Sequence, residues 1–283
     1  MSNPTAVQAS GTITIGGDLT VHRLGLGTMR LTGEGFWGPP RDRDECIRLL
    51  RRAVELGIDF IDTADSYGPF VTEELIKEAL HPYGGVVIAT KAGFLRPHPN
   101  AWHEMGYPAY LRQAVEMSLR RLDVERIELL QLHRIDWKFP LADQVGELAD
   151  MQAEGKIRHI GLSEISIKQL QAAQEIAPIV SVQNRYSMIE RKSDPLLETC
   201  QSQGIAFIPW APLGFGQLAT AQGTVERISK KYDTSPSQLA VAWLLKRSPV
   251  MVPIPGTSRV AHLEENVKAA QVQLSDADFE AVM

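Results

Sequence analysis

Apolar positions along this chain fall into two alternating rhythms. Short, nearly continuous runs of Val, Ile and Leu read as strands buried on both faces, and the stretches between them carry apolar residues at helical spacing. Thr12–Ile15 and Thr20–Arg23 read as a hairpin. Strands are then predicted at Leu24–Met29, Ile58–Asp62, Val86–Thr90, Ile127–His133, Ile157–Ser163, Ile179–Gln183, Ile205–Trp210 and Met251–Pro255. Helices are predicted at Arg43–Leu56, Tyr110–Leu122, Leu141–Glu154, Ile167–Glu175 and Asp194–Gln203. Gly57, Gly155 and Gly204 stand just past three of them, where a helix commonly stops. Ser235 and Pro236 make an N-cap and first-turn pair for a helix reaching Arg247, and Ser275 opens a last short one.

Repeated strand and helix units predict an α/β fold, a single-domain (β/α)8 TIM barrel with an N-terminal β-hairpin. The barrel is expected over residues 11–283, behind a flexible tail at 1–10. A doubly wound open sheet is the alternative, but Leu24–Leu31 lacks the third glycine and the immediate helix of a dinucleotide turn. Leu31–Pro40 and Ala92–Pro108 are the longest irregular stretches, a length at which loops tend to be functional.

Composition narrows the function classes. The chain has 283 residues, 44% hydrophobic and 22% charged, enough for one large core without staples. A net charge of −5 with no basic stripe argues against nucleic acid and against an anionic membrane surface. The two cysteines, Cys46 and Cys200, stand outside any metal-ligand spacing, so no metal is expected. No signal peptide or spanning run is visible, and a cytoplasmic location is expected.

Barrel active sites lie at the C-terminal ends of the strands. Asp62 ends the second predicted strand, with Tyr67 in the loop beyond it. Lys91 follows the third strand and His133 ends the fourth. Singly, each has an ordinary structural explanation: a capping Asp, a packed Tyr, a solvated Lys, a core His. Together they make a coherent set. A lysine ammonium stabilises phenolate, a carboxylate keeps the ammonium charged, and a histidine can orient a carbonyl oxygen. Such a set supplies a proton and steadies a developing alkoxide, as a carbonyl receiving a hydride requires.

The segments DTADSYG, ATK, LLQLH, GLSE, VQNRYS, WAPLG and PIPGTSR…EEN, in that order, resemble the landmark motifs of the aldo-keto reductases from about Leu24 onward. WGPP-x-DR at Trp37–Arg43 and DTADSYGP at Asp62–Pro69 are most similar to bacterial members of the pyridoxal reductase type. The resemblance implies an NADP-dependent carbonyl reductase with Tyr67 as general acid, Lys91 lowering its pKa, Asp62 pairing with Lys91 and His133 positioning the substrate. It also implies NADPH as cofactor. Ser163 and Gln183 would hold its carboxamide, and Trp210 would stack on its nicotinamide. Ala211–Gly216, with Ala211, Pro212, Leu213 and Gly214 as the named contacts, would lie along its pyrophosphate. Gly256, Thr257, Ser258 and Arg259 would meet the 2′-phosphate at a helix N-terminus, and Glu265 and Asn266 the adenine. Two positions depart from the pattern. Glu164 stands where many relatives carry Asn, and Gly256 where some carry Lys.

Trp37, Phe70, Trp102 and Arg134, with Phe36, Tyr107 and Trp137, lie in loops expected above the barrel and are candidates for a substrate pocket. The expected partner is a small-molecule aldehyde or ketone, an aromatic aldehyde such as pyridoxal being the best single choice. A monomer or weak homo-oligomer is expected. Two other readings remain: a non-catalytic NADPH-binding sensor or interaction subunit on the same barrel, and a lyase using a Lys91 Schiff base.

Overall fold

The computed structural model describes residues 5–220 and 222–282. An antiparallel hairpin, β1 (Thr12–Ile15) and β2 (Leu19–His22), precedes a parallel sheet. The sheet strands are β3 (Leu26–Gly27), β4 (Phe60–Asp62), β5 (Val87–Ala92), β8 (Ile127–Leu132), β9 (Ile157–Ser163), β10 (Ile179–Gln183) and β11 (Ala206–Phe207), adjacent in chain order. Between β5 and β8 a small antiparallel pair, β6 (Phe94–Leu95) and β7 (His103–Glu104), folds over the sheet's C-terminal edge.

The expected eighth strand, Met251–Pro255, is an extended segment that pairs only through an isolated parallel bridge from Met251 to Phe207. Val252 N–H donates to Phe207 O at 2.8 Å, and on the other side Gly25 N–H donates to Pro253 O at 3.0 Å. The segment therefore joins the two outer strands and closes the ring. Pro253 and Pro255 lack the N–H that a continuous ladder needs, which is why a full strand does not form.

Helices α1 (Arg43–Glu55), α2 (Val71–Leu80), α3 (Pro108–Leu122), α4 (Leu141–Ala153), α5 (Ile167–Gln174) and α6 (Asp194–Gln203) alternate with these strands. After β11 come α7 (Thr224–Lys231), α8 (Pro236–Arg247), α9 (Val260–Lys268) and α10 (Asp276–Ala281). Their apolar stripes pack on the outside of the sheet. Leu49, Leu50 and Ile76 meet Leu26 and Ile61 on one side, and Leu148, Leu170 and Trp243 belong to the layer around Ile160 and Phe207 on the other. Inside the ring, Phe60, Val87, Leu129, Ile208 and Val252 meet Ile15, Leu19 and Val21 of the hairpin, which plugs the N-terminal mouth. Only the C-terminal mouth is left for a ligand.

The flexible tail expected at residues 1–10 is corrected from Thr5 onward. Ala6–Ser10 forms a 3-10 turn, with Val7 fully buried against the α1 side of the core. Thr5 N–H donates to Gln8 Oε1 at 3.0 Å, one arm of a capping box that the sequence Thr-x-x-Gln encodes. Residues 1–4 lie outside the described residues. No helix among the described residues is long and apolar enough to cross a membrane.

Candidate active site

The loop from Asp62 to Phe70 carries the first two candidates and is tied to its neighbours by its backbone. Thr28 N–H donates to Asp62 O, Thr63 N–H to Ala89 O and Asp65 N–H to Lys91 O. These bonds set Asp62, Tyr67 and Lys91 in register at the barrel mouth. Lys91, fully buried, donates from Nζ to Asp62 Oδ1 at 2.5 Å, to Thr63 O at 2.8 Å and to Tyr67 Oη at 3.2 Å. The other Asp62 oxygen accepts from Gln131 and Gln183 amides at 3.0 and 2.8 Å. The charge pair is thus buried with its hydrogen bonds filled, the condition under which such a pair is tolerated.

Burial, the largest influence, would lower the Lys91 pKa, but Asp62 and Tyr67 together outweigh it and hold the ammonium above its ordinary value. Burial also pushes the Tyr67 phenol up, and Lys91 opposes that rise without reversing it. Lys91 thus acts on the phenol in the lowering direction the sequence had suggested, and burial, the larger influence, leaves the net value raised. At neutral pH the pair is therefore ammonium and phenol, with Tyr67 Oη protonated.

His133 faces the same cavity. Its ring lies 5.8 Å from that of Tyr67 and 4.6 Å from that of Phe94. Its pKa is driven well below 6.5, first by burial and then by the charges of Lys91, Arg134 and Arg96. The imidazole is therefore neutral. Nδ1 lies 3.2 Å from Ser66 Oγ, within hydrogen-bond distance, and Nε2 is the other ring nitrogen.

A cavity of about 590 Å³ opens here. Asp62, Tyr67 and His133 line one end, with Phe94, Trp102 and Arg134. It continues past Ser163, Gln183 and Trp210, along Ala211, Pro212 and Leu213, to Gly256, Thr257 and Ser258. Lys91 lies behind the wall.

The expected cofactor residues divide. Ser163 Oγ accepts from Arg134 Nη1 at 3.0 Å. Gln183 commits its amide nitrogen to Asp62 and to Gln131 Oε1, leaving its own oxygen as the acceptor it can offer a ligand. Gly256 is required by close packing, since a Cβ there would stand 2.9 Å from Gly27 O. Gly214, Arg259, Glu265 and Asn266 do not line the cavity, whereas Gly216 and His262 do. Arg259 is the N-cap of α9, with its N–H bound to Thr257 Oγ1 at 3.1 Å. The first N–H of that helix, on Val260, is already taken by Glu45 Oε1 of α1 at 3.0 Å. Anion binding at this terminus falls to the next N–H groups and to the side chains around them.

Glu164 has a definite part in the site. In the left-handed conformation, it turns Oε1 to accept Trp210 Nε1 at 2.5 Å and Arg185 N–H at 2.6 Å. Its carboxylate anchors the indole that lines the cavity.

Two expected pocket residues are corrected. Trp37 bridges backbone to backbone with Gly68, so it locks the Phe36 loop to the Tyr67 loop and is not part of the cavity wall. Phe70, at the start of α2, points outward and carries the Arg121 guanidinium 4.3 Å from its ring centre. Tyr107 and Trp137 are exposed. Trp102 and Arg134 do line the cavity, as does Phe36.

Arg96, which no motif marked, organises the roof. It donates Nη1 to Ser66 O at 2.7 Å and Nε to Ala101 O at 2.8 Å, and Nη2 reaches the carbonyls of Gly35 and Phe36. Its guanidinium lies 3.5 Å from the Trp102 ring centre. One cation thereby holds three loops around the mouth.

Behind the site, Asp65 is buried beside the Glu73 carboxylate, with Oδ1 unpartnered. Burial, then Glu73, pushes its pKa up to about 8. The folded chain therefore holds this proton between the ordinary 3.8 and about 8, where the unfolded chain has released it. The contribution to stability is fully present below the lower value and is lost as pH rises through that window. Asp65→Asn, which cannot ionise, is expected to gain more in melting temperature over the native protein at about pH 9 than at about pH 5. An equal difference at both would mean that Asp65 is already ionised in the fold.

A parallel ring closed by short strands, with a Tyr, Lys, Asp and His set at its C-terminal mouth, defines a class, and the sequence profile of the Aldo/keto reductase family matches residues 23–283. The chain belongs to that family. It is 54% identical to an uncharacterized oxidoreductase of Schizosaccharomyces pombe, over 97% of this chain and 90% of that one. It is 41% identical to pyridoxine 4-dehydrogenase of Escherichia coli, over 95% and 96% of the two chains. Among solved structures it resembles an aldo/keto reductase of Klebsiella pneumoniae in complex with NADP and acetate, with a TM-score of 0.81 at 25% identity, over 96% and 93%.

Proposed function

We propose that the protein reduces aldehydes or ketones to alcohols with NADPH, using Tyr67 as the proton donor. The observation that carries this reading is Lys91 Nζ, at 2.5 Å from Asp62 and 3.2 Å from Tyr67 Oη, behind a cavity that His133 also lines. The groove fits a dinucleotide by the chemistry of its donors: an indole wall at Trp210, the Gln183 oxygen and Ser163 hydroxyl for a carboxamide, and small or hydroxyl residues at Gly256–Ser258. The Klebsiella relative's NADP complex supports the choice of cofactor.

NADPH held there would supply the hydride that the carbonyl carbon receives. The chain's own groups do the rest. His133 Nε2 and Tyr67 Oη converge on the carbonyl oxygen, and both donate to it. As charge develops on that oxygen, Tyr67 gives up its proton, and the adjacent ammonium stabilises the phenolate left behind. The apolar walls of Phe94 and Trp102 suit an aromatic aldehyde, and pyridoxal agrees with the relative named for pyridoxine.

A direct test follows the loss of reduced-nicotinamide absorbance with purified protein and a panel of aldehydes including pyridoxal. Turnover is expected with NADPH. Cofactor binding without turnover of any aldehyde would favour the sensor. Arg259→Ala tests the 2′-phosphate assignment. KM for NADPH should rise about tenfold while KM for NADH changes little, as for loss of one charge-assisted hydrogen bond. Equal effects on both would remove Arg259 from the phosphate site.

A further inference from the structure

Among the described residues, Arg134 has no carboxylate within ion-pair distance. It lines the catalytic cavity and is largely withdrawn from water. Nη1 donates to His133 O at 2.6 Å and to Ser163 Oγ at 3.0 Å, while Nε and Nη2 have no acceptor among the described residues. Its flanks are aromatic, with the Phe94 ring centre at 5.3 Å and that of Trp210 at 6.0 Å. The carboxylates that act on it, Glu164 and Glu104, do so from beyond ion-pair distance, and Glu164 spends Oε1 on Trp210 and Arg185.

At this end Lys91 is neutralised by Asp62, His133 is uncharged, and the Arg96 guanidinium has its donors taken by the carbonyls of Ser66, Ala101, Gly35 and Phe36. Among the described residues, Arg134 is therefore the guanidinium that lines the carbonyl end of the cavity with donors still open. A buried guanidinium costs free energy unless an anion completes it, and its planar fork matches a carboxylate. The phosphates of the proposed cofactor belong with Ala211–Leu213 and Gly256–Ser258, at the other end of the groove, so they leave this cation open.

We infer that Arg134 is a specificity-determining residue that selects aldehydes carrying a carboxylate, held by Nε and Nη2 while the carbonyl meets Tyr67 and His133. This inference rests on the reductase reading and names a substrate class for the same site.

The test pairs 4-carboxybenzaldehyde with its methyl ester, which share ring and aldehyde and differ in charge. In the native protein, kcat/KM is expected to favour the acid by at least about tenfold, the worth of one good charge-assisted contact. Arg134→Met should bring the ratio to about one or below, and Arg134→Lys should keep part of it. A readout without turnover uses benzoate binding to the NADP-loaded protein, followed by tryptophan fluorescence. Arg134→Met should weaken benzoate about tenfold and leave benzamide unchanged.

Absence of acid preference in the native protein overturns the proposal, and so does a ratio unmoved by Arg134→Met. A variant that raised KM for NADPH with the ratio intact would assign the guanidinium to the cofactor, which also overturns it. If neither aldehyde turned over but benzoate binding depended on Arg134, the anion site would stand and the reductase reading would fall.

Discussion

Tyr67→Phe is expected to lower kcat/KM for aldehyde reduction by about a thousandfold while NADPH binding stays near normal. Proton donation by a positioned group contributes roughly 10²- to 10⁴-fold, and the substitution removes that donor with little change of shape. The ring is almost fully buried, and Phe fills the same space. Lys91 loses one acceptor and keeps Asp62 and Thr63 O. The effect should fall on kcat, since the Tyr67 hydroxyl acts mainly as charge develops on the carbonyl oxygen. Stopped-flow reduction with a cofactor-binding titration separates the two quantities. Activity within about tenfold of native would remove Tyr67 from the proton-donor role.

Lys91→Met carries the second large effect, on stability as well as rate. The ammonium is fully buried, and its removal leaves the Asp62 carboxylate in the interior with only the Gln131 and Gln183 amides for partners. Breaking such a pair from one side costs about 3–5 kcal/mol, and denaturant titration should show it. Activity should fall by more than about a hundredfold, because the phenolate formed on Tyr67 loses the charge that stabilises it. Lys91→Met with Asp62→Asn should recover much of the stability and none of the activity. That split separates the pair's structural part from its catalytic one. A single variant as stable as the native chain would contradict the buried pair.

The strand-end logic was legible because it depends on local order. The runs at Ile157–Ser163 and Ile179–Gln183 appear in the fold with the bounds their patterns predict. Helix α6 ends where Gly204, at φ 67°, takes the left-handed position that a β-carbon disfavours. Since parallel strands share one direction, residues at the ends of adjacent strands must meet at one mouth, and Asp62, Lys91 and His133 do.

What escaped was set by long-range or competing terms. The run at Met251–Pro255 has the hydropathy of a strand, but its prolines cut the ladder to a single bridge. Helix α2, Val71–Leu80, begins at Phe70 without a side-chain cap, so its apolar spacing had no start signal. Arg96 reaches Ser66, Gly35 and Phe36 from some thirty to sixty positions away along the chain, and Glu45 reaches Val260 across 215. Neither pairing leaves a local trace. Trp37 and Phe70 show the converse: being in a loop above the mouth does not decide which way an aromatic ring turns.

The central claim is that hydride passes directly to a carbonyl carbon while this site protonates the oxygen. It is tested by reducing an aldehyde in ordinary water with NADPH deuterated at the transferred position, and examining the alcohol by mass spectrometry. The account predicts a single deuterium on the former carbonyl carbon, and none there when the label is in the water instead. Label from the solvent at that carbon, or an unlabelled alcohol from the deuterated cofactor, would contradict it.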